Sequence, residues 1–215
     1  MKINNIEISW LGHSGFRIKD LIHDRVIYID PYQISGGESA DIILVTHSHH
    51  DHLSIEDLKR ISTPSTVILA PADCQSKFQG KFDFRDSRIM NPGAKVTMGN
   101  IHVEAIPAYN TDKQFHPKGN EWVGYIIDMN SKRIYHAGDS DAIPEMNKLH
   151  KIDVALVPVS GTYVMTADEA AKAVNAFEPK LAIPMHYGAI VGKESDAQRF
   201  KELCKCDVMV LEKEN

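Results

Sequence analysis

The stretch Thr46-His47-Ser48-His49-His50-Asp51-His52 places four good metal ligands, His47, His49, Asp51 and His52, within six residues. Neutral imidazole and carboxylate oxygen are the donors that zinc, manganese and iron accept. The run Asp41 to Thr46 just before them is short and apolar, as in a buried strand. Ser54 and Asp57 just after them supply the N-cap and the acidic first turn of a helix to about Ile61. The cluster therefore falls on a loop at a strand end. Where that loop starts out near-extended, residues two apart point the same way, so His47 and His49 can share one ion. Asp51 and His52, entering the helix, can turn toward a second, and His50 points away. A His-rich tract can also be an adventitious metal binder, but the bounding strand and helix cap argue against that here.

Other positions invite weighing. Asp30 ends a strand before Pro31 and suits a carboxylate that receives the second N–H of a metal-bound imidazole, or an ordinary turn aspartate. His13, in a tight turn between Gly12 and Gly15, either lies near the site or satisfies backbone groups. His136 supports the site or packs in the core. Asp139 lies in a Gly-Asp-Ser turn that has a structural reading of equal standing, and His186 lies at the end of an apolar strand, where the alternative is a strand-end histidine bonded to backbone. The loop Tyr109 to Asn120 carries Lys113, His116 and Lys118, so it either receives an anionic group or is simply solvated. Tyr163, Met165 and Tyr187 line a pocket or fill the core. No Gly-x-Ser-x-Gly elbow, activated Cys–His pair or phosphate-cradling glycine loop is present. Cys204 and Cys206 read as a partly buried structural pair, with a Cys-x-Cys metal site as the alternative.

The elements that must position these residues change character along the chain. The first half reads mainly as strands, at about 6–11, 15–19, 26–30, 41–46 and 66–70, with a short helix from Pro71. Hairpins follow at 95–107, around Gly99-Asn100, and at 122–136, around Asn130-Ser131. The second half alternates. A strand at 153–159 leads to a helix capped by Thr166-Ala-Asp-Glu169. A strand at 181–185 leads to a helix headed by Ser195-Asp-Ala-Gln198 and a closing strand at 207–211. No internal repeat is visible.

The 215 residues suit one large domain, and 43% hydrophobic with 25% charged residues is ordinary for a globular chain. A net charge of −5 argues against a general nucleic-acid binder. Three cysteines, an odd number, fit reduced thiols and a cytoplasmic setting. No apolar run approaches a membrane span, and no signal peptide is visible.

His-x-His-x-Asp-His after an apolar strand resembles the signature of the metallo-β-lactamase superfamily. Trp10-Leu-Gly-His-Ser-Gly-Phe16, Asp30-Pro31, Gly138-Asp139-Ser140 and Pro184-Met-His186-Tyr-Gly188 fall in the order of that superfamily and span almost the whole chain. The first of these looks most like the branch holding ascorbate-6-phosphate lactonases and N-acyl-phosphatidylethanolamine phospholipase D.

The resemblance implies an α/β fold, a four-layer αβ/βα sandwich of two mixed sheets packed face to face with helices outside, formed by residues 1–215 as a single domain. It implies a binuclear site in which His47 and His49 hold one metal, Asp51, His52 and His186 hold the other, and Asp139 bridges them. Asp51 and Asp139 are the expected catalytic carboxylates. Where the family supplies a third histidine to the first metal, this chain reads Pro107-Ala-Tyr-Asn110. His116 is expected to take that place, with Asn110 or water as the alternative.

Two divalent ions, zinc first with manganese or iron as alternatives, imply a metal-bridging hydroxide that attacks a carbonyl or phosphoryl centre. The expected function is hydrolysis of a small, anionic or neutral ester, lactone or phosphodiester. A nuclease-type phosphodiesterase and a non-hydrolytic di-iron redox or metal-binding protein are the alternatives. A homo-oligomer is left open.

Overall fold

The computed structural model describes residues 1–214. They divide into two compact units, residues 1–91 with 211–214 and residues 92–210, and each is described by itself.

The first unit opens with β1 (Lys2–Ile3), β2 (Ile6–Gly12), β3 (Gly15–Asp20) and β4 (Arg25–Ile29), each antiparallel to the next. It continues with β5 (Ile42–Leu44), β6 (Val67–Ala70) and β7 (Asp86–Ile89), which pair in parallel, β5 lying on β4. Parallel neighbours need crossover connections. Helix α1 (Ile55–Ile61) makes one between β5 and β6, and α2 (Ala72–Phe78) the other between β6 and β7. All three β5 residues are buried, as the continuous apolar run demands. Tyr28 and Ile43 from the sheet and Val45 just after β5 pack with Leu58 and Ile61 of α1 and Phe78 of α2 in one apolar cluster. Ser54 caps α1 as expected, its side chain accepting from the Asp57 amide. The buried Asp57 carboxylate accepts the amides of Gln33 (2.8 Å) and Ile34 (3.2 Å), which ties the segment after β4 to this helix.

The second unit repeats that order of elements. Strands β8 (Lys95–Met98), β9 (Ile101–Pro107), β10 (Val123–Met129) and β11 (Lys132–His136) are antiparallel neighbours. Strands β12 (Val154–Pro158), β13 (Leu181–Met185) and β14 (Asp207–Val208) then pair in parallel, joined by α3 (Ala167–Phe177) and α4 (Glu194–Leu203). The capping box on α3 forms as expected between Thr166 and Glu169. Ala170, Val174 and Phe177 bury its inner face, Phe177 meeting Tyr135 edge-on at 6.0 Å. The topology therefore repeats although the residues do not.

Two mixed seven-stranded sheets, each with two helices, agree with the α/β reading. Three local expectations are corrected. Helix α4 begins at Glu194, so Ser195 is not its cap: the Asp196 carboxylate takes the Lys193 amide at 2.7 Å and moves the start back. The closing strand ends at Val208 and not at residue 211, because the tail leaves the second sheet and joins the first unit, where the Glu214 amide bonds the Trp10 carbonyl at 2.8 Å. Strand β7 was not expected at all. Its sequence, Asp-Ser-Arg-Ile, is polar and largely exposed, and it is a strand through its backbone pairing with β6. Among the described residues, no helix is long and apolar enough to cross a membrane.

Candidate metal centre

In the first unit the site is built at the ends of β2, β4 and β5. The β2–β3 connection is a two-residue turn, His13-Ser14, entered through Gly12 (φ 97°) with His13 itself left-handed (φ 50°). The Trp10 indole donates to the His13 carbonyl at 2.9 Å and closes the turn. A side chain at Gly15 would meet the Asp30 carbonyl at 3.1 Å. The Trp-Leu-Gly-His-Ser-Gly string is thus explained by a turn that must pass close to Asp30. The turn presents the buried His13, whose Nε2 lies 3.0 Å from Asp51 Oδ2.

Asp30, buried and left-handed (φ 43°), is the organiser of this half. Its carboxylate accepts the Thr46 amide (2.8 Å) and hydroxyl (2.6 Å) and lies 2.7 Å from His52 Nδ1. Thr46 Oγ1, having donated to Asp30, stands 2.9 Å from His47 Nδ1 as an acceptor. His47 Nε2 then faces His49 Nδ1 at 3.1 Å. Two imidazole nitrogens on one tetrahedral zinc lie about 3.3 Å apart, so this pair is spaced to share an ion. His52 Nε2 faces Asp51 Oδ2 at 3.8 Å. Lys77, reaching from α2, donates to the Ser48 carbonyl at 2.7 Å and fixes the loop between His47 and His49. His50 is exposed, as expected.

In the second unit three residues from separate stretches meet. Asp139 follows β11, His186 directly follows β13 with a left-handed backbone (φ 61°), and His116 stands in the long β9–β10 loop. All three are buried. Asp139 Oδ2 lies 3.0 Å from His186 Nε2 and 3.4 Å from His116 Nε2. Asn110 Oδ1 accepts the His116 backbone amide at 3.0 Å and stands 3.1 Å from its Nδ1. Ser160 Oγ donates to the Thr162 carbonyl at 3.2 Å and stands 3.0 Å from His186 Nδ1.

Each unit thus follows one rule. In His47, His52, His116 and His186 the Nδ1 is met by Thr46, Asp30, Asn110 and Ser160 respectively. An amide oxygen and a carboxylate can only accept, and the two hydroxyls have already donated elsewhere. The chemistry of the partners therefore assigns the proton to Nδ1 and the lone pair to Nε2. In each case Nε2 faces another of the expected ligands. Histidine ligands are usually oriented in this way, and imidazole with carboxylate and no thiolate suits a borderline-soft divalent ion. The donor set fits the metals that the sequence reading expects.

The structure thus brings His47, His49, Asp51 and His52 together in the first unit, and His116, Asp139 and His186 in the second. His13 and Ser160 were undervalued or missed. His13 carried its signal in the glycines around it, whereas Ser160 carried none. His136, the last residue of β11, is buried, and its Nδ1 takes the Gly138 amide at 3.1 Å. The lysines of the 109–120 loop serve the loop itself. Lys113 pairs with Asp112 (2.7 Å) and the buried Asp141 (2.8 Å), and Lys118 pairs with Glu145 (3.4 Å). Met165 and Tyr187 are buried, whereas Tyr163 is exposed; burial pushes the Tyr187 phenol up to about 12. All three cysteines are free.

A family model described as the β-lactamase superfamily domain matches residues 7–186. The chain is 32% identical to a UPF0173 metal-dependent hydrolase of Archaeoglobus fulgidus, over 93% of this chain and 91% of that one. It is 35% identical to another of that name in Nanoarchaeum equitans, over 91% and 90%. Among solved structures it resembles a protein from Parabacteroides distasonis that carries a provisional metal-dependent hydrolase name. The TM-score there is 0.84 and the identity 32%, covering 96% of this chain and 94% of that one.

Proposed function

The chain belongs to the β-lactamase superfamily as a metal-dependent hydrolase, and from that membership we propose that it uses two divalent ions, zinc foremost, to hydrolyse a small ester, lactone or phosphodiester. In this reading His47, His49 and His116 hold one ion, Asp51, His52 and His186 hold the other, and Asp139 serves both. The observation that carries it is the shared orientation of four histidines drawn from both units, Nδ1 held by a polar neighbour and Nε2 turned to another ligand.

When bound, such ions make a hydroxide available near neutral pH and stabilise charge on the attacked oxygen and the leaving group. The chain's own contribution is placement. Asp30, Thr46, Asn110 and Ser160 keep the imidazoles in one tautomer, so no proton must be moved before a metal is taken up. His13 steadies the Asp51 carboxylate. Burial of Asp139, His116 and His186 keeps bulk water from competing with their mutual contacts.

The test is metal analysis of purified protein, followed by assay of the metal-loaded form against lactones, phosphodiesters and single-stranded RNA. Two equivalents of zinc or manganese with turnover of a lactone or small phosphodiester supports the reading. Iron with visible absorbance, turnover of RNA alone, or two bound ions with no turnover of any class overturns it.

A further inference from the structure

Three of the seven large apolar side chains that stand exposed among the described residues are Phe115 (51%), Tyr163 (37%) and Ile190 (44%). All three belong to the loops that carry or hold His116 and His186. Phe115 immediately precedes His116. Its ring meets that of Tyr163 edge-on, with centroids 4.5 Å apart. The Tyr163 carbonyl accepts the Asn110 side-chain amide at 2.9 Å, and the same Asn110 holds His116.

Residues 160–166 form a closed loop, with the Gly161 amide on the Met165 carbonyl at 2.9 Å. Ser160 at its base holds His186. A side chain at Gly192 would come within 2.6 Å of Ser160 Cβ, so the loop bearing Ile190 packs against that base as well. The aromatic pair is therefore joined by hydrogen bonds to both histidines that face Asp139. Tyr163 is also left-handed (φ 69°), a conformation unfavourable for a bulky residue and retained where neighbouring structure imposes it.

We propose that Phe115 and Tyr163 form a platform that binds an aromatic or other planar apolar group of the substrate beside His116. Two rings held edge to face leave flat apolar surface in water, and such surface gains most when a third planar group covers it. The lysines of the same loop are paired with carboxylates, Lys113 with Asp112 and Asp141 and Lys118 with Glu145. The platform deepens the metallohydrolase reading and rests on it for the position of the reacting group, but its preference for a ring can be measured without turnover.

The experiment compares phenylphosphonate with methylphosphonate by calorimetric titration of metal-loaded protein, with metal content measured on the same samples. Phenylphosphonate is expected to bind about tenfold more tightly. Phe115→Ala should bring the ratio near one with metal content unchanged. Tyr163→Gly should do the same and also relieve the left-handed backbone, so that a loss of folding cannot mimic the effect. Tyr163→Phe should keep the ratio. Equal affinity for the two phosphonates in the parent protein, or a ratio that survives both ring deletions, overturns the platform. If the protein holds fewer than two ions yet keeps a ratio that the ring deletions abolish, the platform stands and the binuclear reading fails.

Discussion

Asn110 and His116 are joined three times: the Asn110 amide bonds the His116 carbonyl at 2.7 Å, Asn110 Oδ1 takes the His116 amide at 3.0 Å, and the same oxygen stands 3.1 Å from His116 Nδ1. Asn110, the expected alternative to His116 as a ligand, instead holds the histidine six residues on. Asn110→Ala is therefore expected to weaken metal binding roughly 10- to 100-fold, the usual effect of removing a ligand's orienting partner. Competition with a chromophoric chelator measures it. Asn110→Asp keeps the acceptor for His116 and loses the donor to Tyr163, so it should retain more of the affinity. An alanine variant with parent affinity would show that the contact only shapes the loop.

His116→Ala should lower the bound metal by about one equivalent under dilute-metal conditions, because imidazole is the favoured donor for a borderline-soft ion. Elemental analysis after dialysis decides the matter. Unchanged stoichiometry and affinity would remove His116 from the ligand set.

Asp30 accepts from Thr46 twice and orients His52 in a wholly buried setting. Asp30→Ala would leave buried donors without an acceptor. A loss of about 3 kcal/mol is expected in urea unfolding of the metal-free protein. Asp30→Asn, which still offers one oxygen, should lose less. Equal midpoints for parent and alanine variant would contradict the role assigned to this carboxylate.

At a distance from the site, Asp153 provides a pH test. Burial alone would raise its carboxyl, but hydrogen bonds from Lys180, the Arg133 amide and Lys132 outweigh that and hold it below the ordinary carboxylate range. A depressed folded-state pKa means that the stabilisation is complete above the unfolded value, about 3.9, and fades as pH falls through the folded one. Asp153→Asn should therefore cost about 1–2 kcal/mol at pH 7 and progressively less as the pH falls below the unfolded value. Parallel stability curves for the two proteins across that range would refute the assignment.

Much of this site was legible in advance because its chemistry is dense in the chain. Four ligands within six residues, bounded by an apolar run and a capped helix, leave few other meanings. The glycines around His13 and the Asp30-Pro31 pair announced a turn and a strand end. Other features left no mark on residue type. Ser160 looks like any loop serine, and its contact with His186 exists only once β12 and β13 lie side by side. Strand β7 is polar and made by pairing, and the path of the C-terminal tail is set by the Trp10 backbone. The start of α4 turned on which of two neighbouring polar residues accepted an amide.

The repeated order of elements has a consequence for how such a chain can diversify. The connection between the second and third strands is two residues long in the first unit (13–14) and fifteen in the second (108–122). Lengthening a flexible connection to that extent costs only about 2 kcal/mol of closure entropy. Val123 pairs with Pro107 at its two ends, so the sheet register does not depend on what lies between. The fifteen-residue segment is thus a natural cassette: new recognition can be grafted there while the rest of the scaffold, and the histidines it presents, stay as they are.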